Sequence, residues 1–362
     1  MRVKLGDVCS RGSSNLKQSD VIDKNGDYPI YGASGYIGNV DFYHQDKKYV
    51  AVVKDGAGIG RTVLLPAKSS VIGTMQYLLP NDKISPEYLY YVVSYMHLEK
   101  YFSGATIPHI YFRDYQHEEF NLAKPDEQAR IVSTLDKLQS IIAHRKQQLA
   151  KLDELVKARF VEMFGDTEVN SNNHPIHKLS ELCTVSSSKR IYQEEQSSSG
   201  VPFLRISNLV ELIDNGIFGS DLFIPEEKYN ELFTNDLVPK ADDILVTSRG
   251  TLGKCYIIQE HDKFYFQDGM ISWLYDIDKS ITPLYLTLLF DTRDIKRQID
   301  NLQSGSTVAY LSIAMLKKLN IVVPPLALQQ QFAAFVAQTD KSKFLNENII
   351  QLLRRVKLYD QF

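Results

Sequence analysis

A chain of 362 residues is long enough for two or three domains, and its 44% hydrophobic and 23% charged residues exclude a disordered or collagen-like polymer. A formal charge of −3 means that any nucleic-acid binding must come from local patches, not from bulk attraction. Three isolated cysteines, Cys9, Cys183 and Cys255, build neither a disulfide framework nor a zinc knuckle, and no run approaches the ~18 apolar residues of a membrane span. The opening Met1-Arg2-Val3-Lys4-Leu5-Gly6-Asp7 lacks the apolar core of a secretory signal, so the expectation is a cytoplasmic chain without membrane contact.

Taken in chain order, the first predicted elements are short strands. Residues 49–53 and 62–65 are β-branched runs on either side of a glycine turn, which suits a hairpin. Ser85 before Pro86 reads as the N-cap and first turn of a short helix. From residue 126 to 164 neither Gly nor Pro interrupts the chain, and Asp126 and Glu127 follow Pro125 where a helix dipole favours negative charge. Gly165 supplies the stop. The same order then returns. Strand runs at 244–247 and 255–258 flank a second glycine turn, Thr282-Pro283 opens a second short helix, and a final helix follows Pro325.

The return is an internal repeat. Lys4-Leu5-Gly6-Asp7-Val8-Cys9-Ser10 recurs as Lys178-Leu179-Ser180-Glu181-Leu182-Cys183-Thr184. Asp55-Gly56-Ala57-Gly58-Ile59-Gly60-Arg61 is echoed by Ser248-Arg249-Gly250-Thr251-Leu252-Gly253-Lys254, and Ser85-Pro86-Glu87-Tyr88-Leu89 by Thr282-Pro283-Leu284-Tyr285-Leu286. Ser103-Gly104-Ala105-Thr106 matches Ser304-Gly305-Ser306-Thr307. Each match is weak alone. Their common order, with a spacing that drifts upward as small insertions would make it drift, is what carries the inference.

The long helices have coiled-coil periodicity. In the first, Ile131, Leu135, Leu138, Ile142, Leu149, Leu152, Val156 and Met163 fall on alternating steps of four and three, with Arg145 and Arg159 at two seam positions. At 1.5 Å per residue such a helix runs about 58 Å. In the second, Phe335, Leu345, Ile349, Leu352 and Val356 mark a similar seam, with Gln338 and Ser342 weakening its middle. Apolar residues beside the seams (Ile141, Leu155 and Phe160; Phe332, Phe344, Ile350 and Leu353) exceed what a two-stranded seam needs and predict either further helices packed outside, the favoured reading, or cover by the globular units. The expected fold is α+β: two mixed globular units at 1–125 and 166–325, separated by long helices at 126–165 and 326–362 that run antiparallel, with pseudo-two-fold symmetry. Two dissimilar heads in such a frame suit a DNA site of two dissimilar halves.

This layout resembles the specificity subunit of type I restriction–modification enzymes. The resemblance covers nearly the whole chain. It rests on Val3-Lys4-Leu5-Gly6-Asp7-Val8, on Pro125-Asp126-Glu127-Gln128-Ala129-Arg130-Ile131 and on the segment 155–165 that closes the central helix. Tyr28-Pro29-Ile30-Tyr31-Gly32-Ala33-Ser34-Gly35 and the segment 243–254 look like recurring pieces of target recognition domains, whereas Pro324-Pro325-Leu326-Ala327-Leu328-Gln329 departs from the Glu-Gln form of the first copy. The resemblance implies that each unit reads half of a divided double-stranded DNA target. The helices would act as ruler and as dock for two modification (methyltransferase) subunits, which restriction subunits join. It implies S-adenosylmethionine, ATP and Mg on those partners and no cofactor on this chain.

Catalytic motifs are missing. Val323-Pro324-Pro325-Leu326 has neither the polar nor the aromatic end of an adenine methyltransferase motif. The two glycine turns fail the dinucleotide and phosphate-loop patterns, since Arg61 and Cys255 stand where those patterns need Gly and Ser or Thr. Glu226-Glu227-Lys228 lacks an upstream Pro-Asp pair, and His174 and His177 have no third metal ligand nearby and read as solvated linker. The chain is thus expected to be non-catalytic, with base chemistry left to a partner. For DNA contact, loops beside glycine turns nominate Lys54, Arg61, His109, Tyr111 and Arg113 in the first unit, and Lys189, Arg190, Arg249, Lys254 and Tyr310 in the second. The rival reading is a non-enzymatic scaffold whose heads bind protein or glycan.

Overall fold

The computed structural model describes residues 1–21, 24–104, 108–303 and 309–359, with the last helix's side chains described through Arg354. It divides into two compact units, one of residues 1–149 with 344–362 and one of residues 150–343. The division falls inside both long helices, so each unit contains a segment of each.

In the first unit the chain runs through β1 (Arg2–Lys4), β2 (Cys9–Ser13), β3 (Tyr28–Gly32), β4 (Gly35–Val40), β5 (Tyr49–Val53), β6 (Thr62–Leu65), β7 (Ser70–Val71) and β8 (Met75–Pro80). Helix α1 (Pro86–Tyr95), the turn α2 (Phe112–Tyr115), strand β9 (Glu119–Asn121) and the long helix α3 (Pro125–Phe164) follow. Ser85 caps α1, its side chain accepting from the Tyr88 N–H at 3.1 Å, with Pro86 at the first turn. The strands form a four-stranded sheet β2-β8-β5-β6, a three-stranded sheet β4-β3-β7 and the pair β1-β9.

Strand β5 is buried along its whole length, and the pleat divides it between two cores. Val50 and Val52 face Leu78 and the α1 residues Tyr88, Leu89 and Val92. Tyr49, Ala51 and Val53 join Val71, Met75 and Tyr77 on the side of the smaller sheet. A helical layer thus covers one face of the central sheet and the small sheet covers the other. A strand buried on both faces reads as a continuous apolar run, as this one does.

The second unit repeats the plan strand for strand. After β10 (Ile176–Lys178) and the turn α4 (Leu179–Leu182) come β11 (Thr184–Ser186), β12 (Val201–Leu204), α5 (Ile206–Asn215), β13 (Phe223–Ile224), α6 (Glu226–Thr234), β14 (Ile244–Thr247), β15 (Cys255–Ile257), β16 (Tyr265–Phe266) and β17 (Ile271–Tyr275). Helices α7 (Pro283–Phe290) and α8 (Arg293–Leu302), the turn α9 (Ile313–Leu316), β18 (Asn320–Val322) and the long helix α10 (Leu326–Tyr359) complete it. Its sheets are β11-β17-β14-β15, β13-β12-β16 and β10-β18. In chain order these match the first unit's sheets member for member, including one parallel pair in each small sheet, β3 with β7 and β12 with β16. Unit two adds α5 and α6 around β13, where unit one has a tight β3–β4 turn. The echo between 103–106 and 304–307 falls partly outside the described residues.

The buried stripe of α3 follows the apolar heptads as far as Val156: Leu135 and Val156 are buried and Ile131, Leu138, Ile142, Leu149 and Leu152 half-buried. Beyond it the buried residues are Phe160 and Phe164, one position after the expected Arg159 and Met163, because the second unit's own core covers them. Helix α10 departs from its expected seam. Leu345 and Leu352 are each 61% exposed, while the buried stripe runs one residue later, through Gln329, Phe332, Val336, Thr339, Asn346 and Ile350. Phe335 and Ile349 are only half-buried, and the Val356 side chain lies outside the described residues. The error has a physical source. Four positions of the true stripe are polar, Gln329, Thr339, Lys343 and Asn346, and an apolar count passes over them. Within the first unit Arg145 donates to the Asn346 carboxamide oxygen at 2.9 Å; within the second, Lys343 meets Asp153 at 2.7 Å. In the second unit, Asp153 faces Lys343, and Phe160 and Phe164 face Phe332, the order of an antiparallel pair.

His177 also departs from expectation. It lies in β10, not in a linker, with Glu181 at 3.4 Å. Among the described residues no three His, Cys, Asp or Glu side chains are grouped to hold a metal, and no helix is long and apolar enough to cross a membrane. Glu226 is paired with Lys263 at 2.8 Å and Lys228 with Glu195 at 2.9 Å, so that acidic cluster serves ion pairs of α6.

One buried acid has a predicted pH signature. Asp243, at the turn into β14, accepts from the Lys240 N–H at 2.8 Å and the Trp273 indole N–H at 2.9 Å, and burial pushes its carboxyl above the ordinary value. A carboxyl raised in the folded state penalises folding once pH exceeds its folded value, and that penalty disappears below the unfolded value. Asp243→Asn keeps an acceptor oxygen for both donors, so the variant is expected to gain stability over wild type at pH 7. That gain should shrink as pH falls through the carboxylate range, which paired thermal melts at pH 7 and pH 4 would show. A gain independent of pH would refute this account.

Candidate nucleic-acid interface

Strand registers bring one set of loops to the same end of the sheets in each unit. In unit two, Ser186, Thr247, Cys255 and Ile271 end or begin neighbouring strands of the larger sheet, and Leu204 and Phe266 end the parallel pair of the smaller one. The loop after β14 closes by paired bonds: the Gly253 N–H donates to the Thr247 carbonyl and the Thr247 N–H to the Lys254 carbonyl, both at 2.9 Å. In unit one Gly60 and Arg61 close on Val53 with the same pair at 2.9 Å. Gly60 and Gly253 both take positive φ, 81° and 76°, so both turns need glycine there.

A second chain segment docks on each loop at equivalent places. In unit one Asp55 bridges to His109, the Gly56 N–H donates to the Pro108 carbonyl at 3.0 Å and the Ile110 N–H to the Lys54 carbonyl at 3.0 Å. In unit two Arg249 bridges to Tyr310 and the Leu311 N–H donates to the Ser248 carbonyl at 2.9 Å. The structural equivalent of Arg249 is therefore Asp55, not Gly56 as the sequence echo pairs them, because the second loop is one residue shorter. One frame thus carries opposite charges at its tip. The Asp55 carboxylate contacts Nδ1 of His109, whose ring lies 4.2 Å from that of Tyr111, and Arg113 stacks over Tyr111 at 4.6 Å. Arg249 instead stacks over Tyr310 at 5.3 Å, exposed and without a carboxylate partner among the described residues.

The structure thus gathers Lys54, Arg61, His109, Tyr111 and Arg113 around one loop system, and Arg249 with Tyr310 around the other. The remaining nominated residues sit nearby but carry counter-charges. Lys254 is held by Asp214 of α5, Arg190 by Asp268 at 2.8 Å, and Lys189 lies 3.7 Å from Glu231. Sequence reasoning missed Asp55, whose acidity hid it in a search for basic residues. It also missed Arg205, which follows β12 at the same end. Arg205 pairs through Nη2 with Asp221 while its Nε is buried without a partner. Because carboxylates neutralise most of these cations, the edge is a patterned donor and acceptor surface, not a basic patch. Such a surface suits base-edge discrimination better than phosphate attraction.

The duplicated α+β chain thus builds one loop frame twice and equips it with different side chains. The chain belongs to the family of the type I restriction modification DNA specificity domain, whose model matches residues 1–154 and 174–355. It is accordingly a type I restriction–modification specificity protein, acting in DNA sequence recognition. It is 24% identical over 337 residues to a Haemophilus influenzae protein named as a candidate type I restriction enzyme specificity subunit, covering 90% of this chain and 83% of that one. Its fold matches the crystal structure of the type I restriction–modification S subunit from M. genitalium, with a TM-score of 0.60, 16% identity and coverage of 100% and 96% of the two chains. It also matches a chain from a structure on complex assembly and conformational transition of the type I R-M system, with a TM-score of 0.59, 13% identity and coverage of 99% and 95%.

Proposed function

We propose that this chain is the non-catalytic specificity subunit of a type I restriction–modification complex and reads a bipartite double-stranded DNA target, one half with each unit. The observation that carries this is the equivalence of Asp55 and Arg249. An identical frame with opposite side-chain chemistry at its tip is what two different half-sites demand. An Arg fork suits the two acceptors of guanine, whereas a carboxylate suits the amino group of cytosine. The long helices are the spacer between half-sites, and a rod of about 58 Å would allow about 17 base pairs at 3.4 Å each as an upper bound.

The helices also carry the docking surface. Ile141, Leu155 and Val161 on α3, and Phe344, Leu345 and Leu352 on α10, are exposed apolar side chains that the pair leaves uncovered. Two modification subunits would cover them and bring S-adenosylmethionine; restriction subunits with ATP and Mg would join the assembly. Neutralised cations at the reading edges fit this division of labour. The chain alone should bind DNA weakly and with a shallow salt dependence, and both affinity and salt slope should rise when modification subunits add phosphate contacts. Methylome sequencing of cells expressing a modification subunit with and without this chain tests the reading: a divided methylated motif should appear only with the chain. An unchanged methylome would overturn it and favour heads that bind protein or glycan.

A further inference from the structure

The first turn of each long helix contains a buried glutamine, and the two make the same three hydrogen bonds. Gln128, 3% exposed, accepts from the Ser85 N–H at 3.0 Å and donates to the carbonyls of Lys83 at 2.9 Å and Ala123 at 3.0 Å. Gln329, 1% exposed, accepts from the Thr282 N–H at 2.8 Å and donates to the carbonyls of Ser280 at 2.9 Å and Pro324 at 2.8 Å. The glutamine therefore persists through the departure of the second copy from the Glu-Gln form.

The geometry explains why the residue is glutamine. Both amide N–H groups and the carboxamide oxygen are used, and all three partners are backbone groups. Glutamate would turn an acceptor toward two carbonyls. Leucine would orphan three backbone groups in a buried place. Asparagine is one methylene too short to span them. The partners matter as much. Ser85 and Thr282 are the N-caps of α1 and α7, the helices that lean on the central sheet of their units. The contact therefore ties the first turn of a long helix to the body of a reading unit through a rigid three-point clamp, formed twice.

We propose that Gln128 and Gln329 are positioning residues for target recognition, each fixing the angle between its reading unit and the long helix that begins there, so that together they set how strictly the length of the unspecified gap is read. This rests on the reading of a divided DNA target given above. A head free to pivot on its helix would still recognise its own half-site but would accept a partner half-site displaced by one base pair.

The test uses the full chain with its modification subunit and duplexes carrying the methylated motif with its native gap, with the gap lengthened or shortened by one base pair, and with one half-site alone. Gln128→Leu and, separately, Gln329→Leu are expected to cut the preference for the native gap about tenfold while leaving single half-site affinity within about twofold. Gln128→Asn, which keeps the amide but shortens its reach, covers the case in which the leucine variant does not fold. Ser85→Ala removes the α1 cap while keeping the Ser85 N–H on Gln128; it should lower the melting temperature and keep the gap preference. If wild type shows no gap preference, the ruler reading itself fails. If wild type has the preference and the glutamine variants retain it, or lose gap preference and half-site affinity in proportion, the positioning role is overturned.

Discussion

Phe164→Ala is expected to destabilise the second unit by about 3–5 kcal/mol, the range for deleting a fully buried aromatic ring. Phe164 is the last residue of α3 and 1% exposed. Its ring lies 4.9 Å from Phe160, 4.7 Å from Tyr285 and 5.3 Å from Phe332, so α3, α7 and α10 meet on it. Phe160 also stacks on Tyr285 at 5.5 Å. Aromatic pairs in these geometries contribute beyond the area they bury, and the close packing leaves the cavity little room to collapse. Gly165 then ends the helix at φ 76°, where an added Cβ would collide with Ser171. Phe164→Leu should cost less, about 1–1.5 kcal/mol, because most of the volume remains. The only tryptophan of the chain, Trp273, lies in this unit and is buried, so its fluorescence in a urea titration reports the unit's unfolding. A loss under about 1 kcal/mol for the alanine variant would mean that the long helices are not anchored by this cluster.

Arg249→Ala should reduce affinity of the assembled complex for its own target about 5–150-fold, the value of one bidentate base contact of about 1–3 kcal/mol. The loss should be confined to the half-site of the second unit, with discrimination relaxed at one base pair there. Arg249→Lys separates the two contributions of the side chain. It keeps the charge and the salt dependence but loses the planar fork, so sequence discrimination should fall while non-specific affinity stays. Asp55→Asn is the matching change in the first unit and should alter only the other half-site. Binding measured on duplexes substituted base by base in each half would distinguish these outcomes. An equal loss for every sequence would demote Arg249 to a phosphate contact.

The loop edges and the long helices differ in how much of them the amino-acid order reveals. The strands around Val50 and Leu245, the caps Ser85 and Thr282 and the turns at Gly60 and Gly253 were all legible, because each follows from neighbours within a few residues. The same holds for α3, where apolar side chains fill nearly the whole buried stripe. The apolar seam of α10 lies one residue before its buried row, and the sequence echo at the loop tips is offset by one position from the structural equivalence.

Local order in the chain determined that it is a duplicated α+β protein with two long amphipathic helices, since propensity, capping and periodicity act over one or two turns and survive in each copy. Only tertiary structure decided which row of α10 is buried. Thr339, Lys343 and Asn346 can occupy a seam because Asp153 and Arg145, far away in sequence, supply partners for two of them, and Thr339 bonds back to the Phe335 carbonyl at 3.0 Å. It likewise decided that Asp55 and Arg249 share one place, because a loop's equivalence is set by the segment that docks on it (His109 in one unit, Tyr310 in the other) and not by residue type. Long-range polar pairing leaves no periodic trace along the chain, and for that reason it had to be found in the fold.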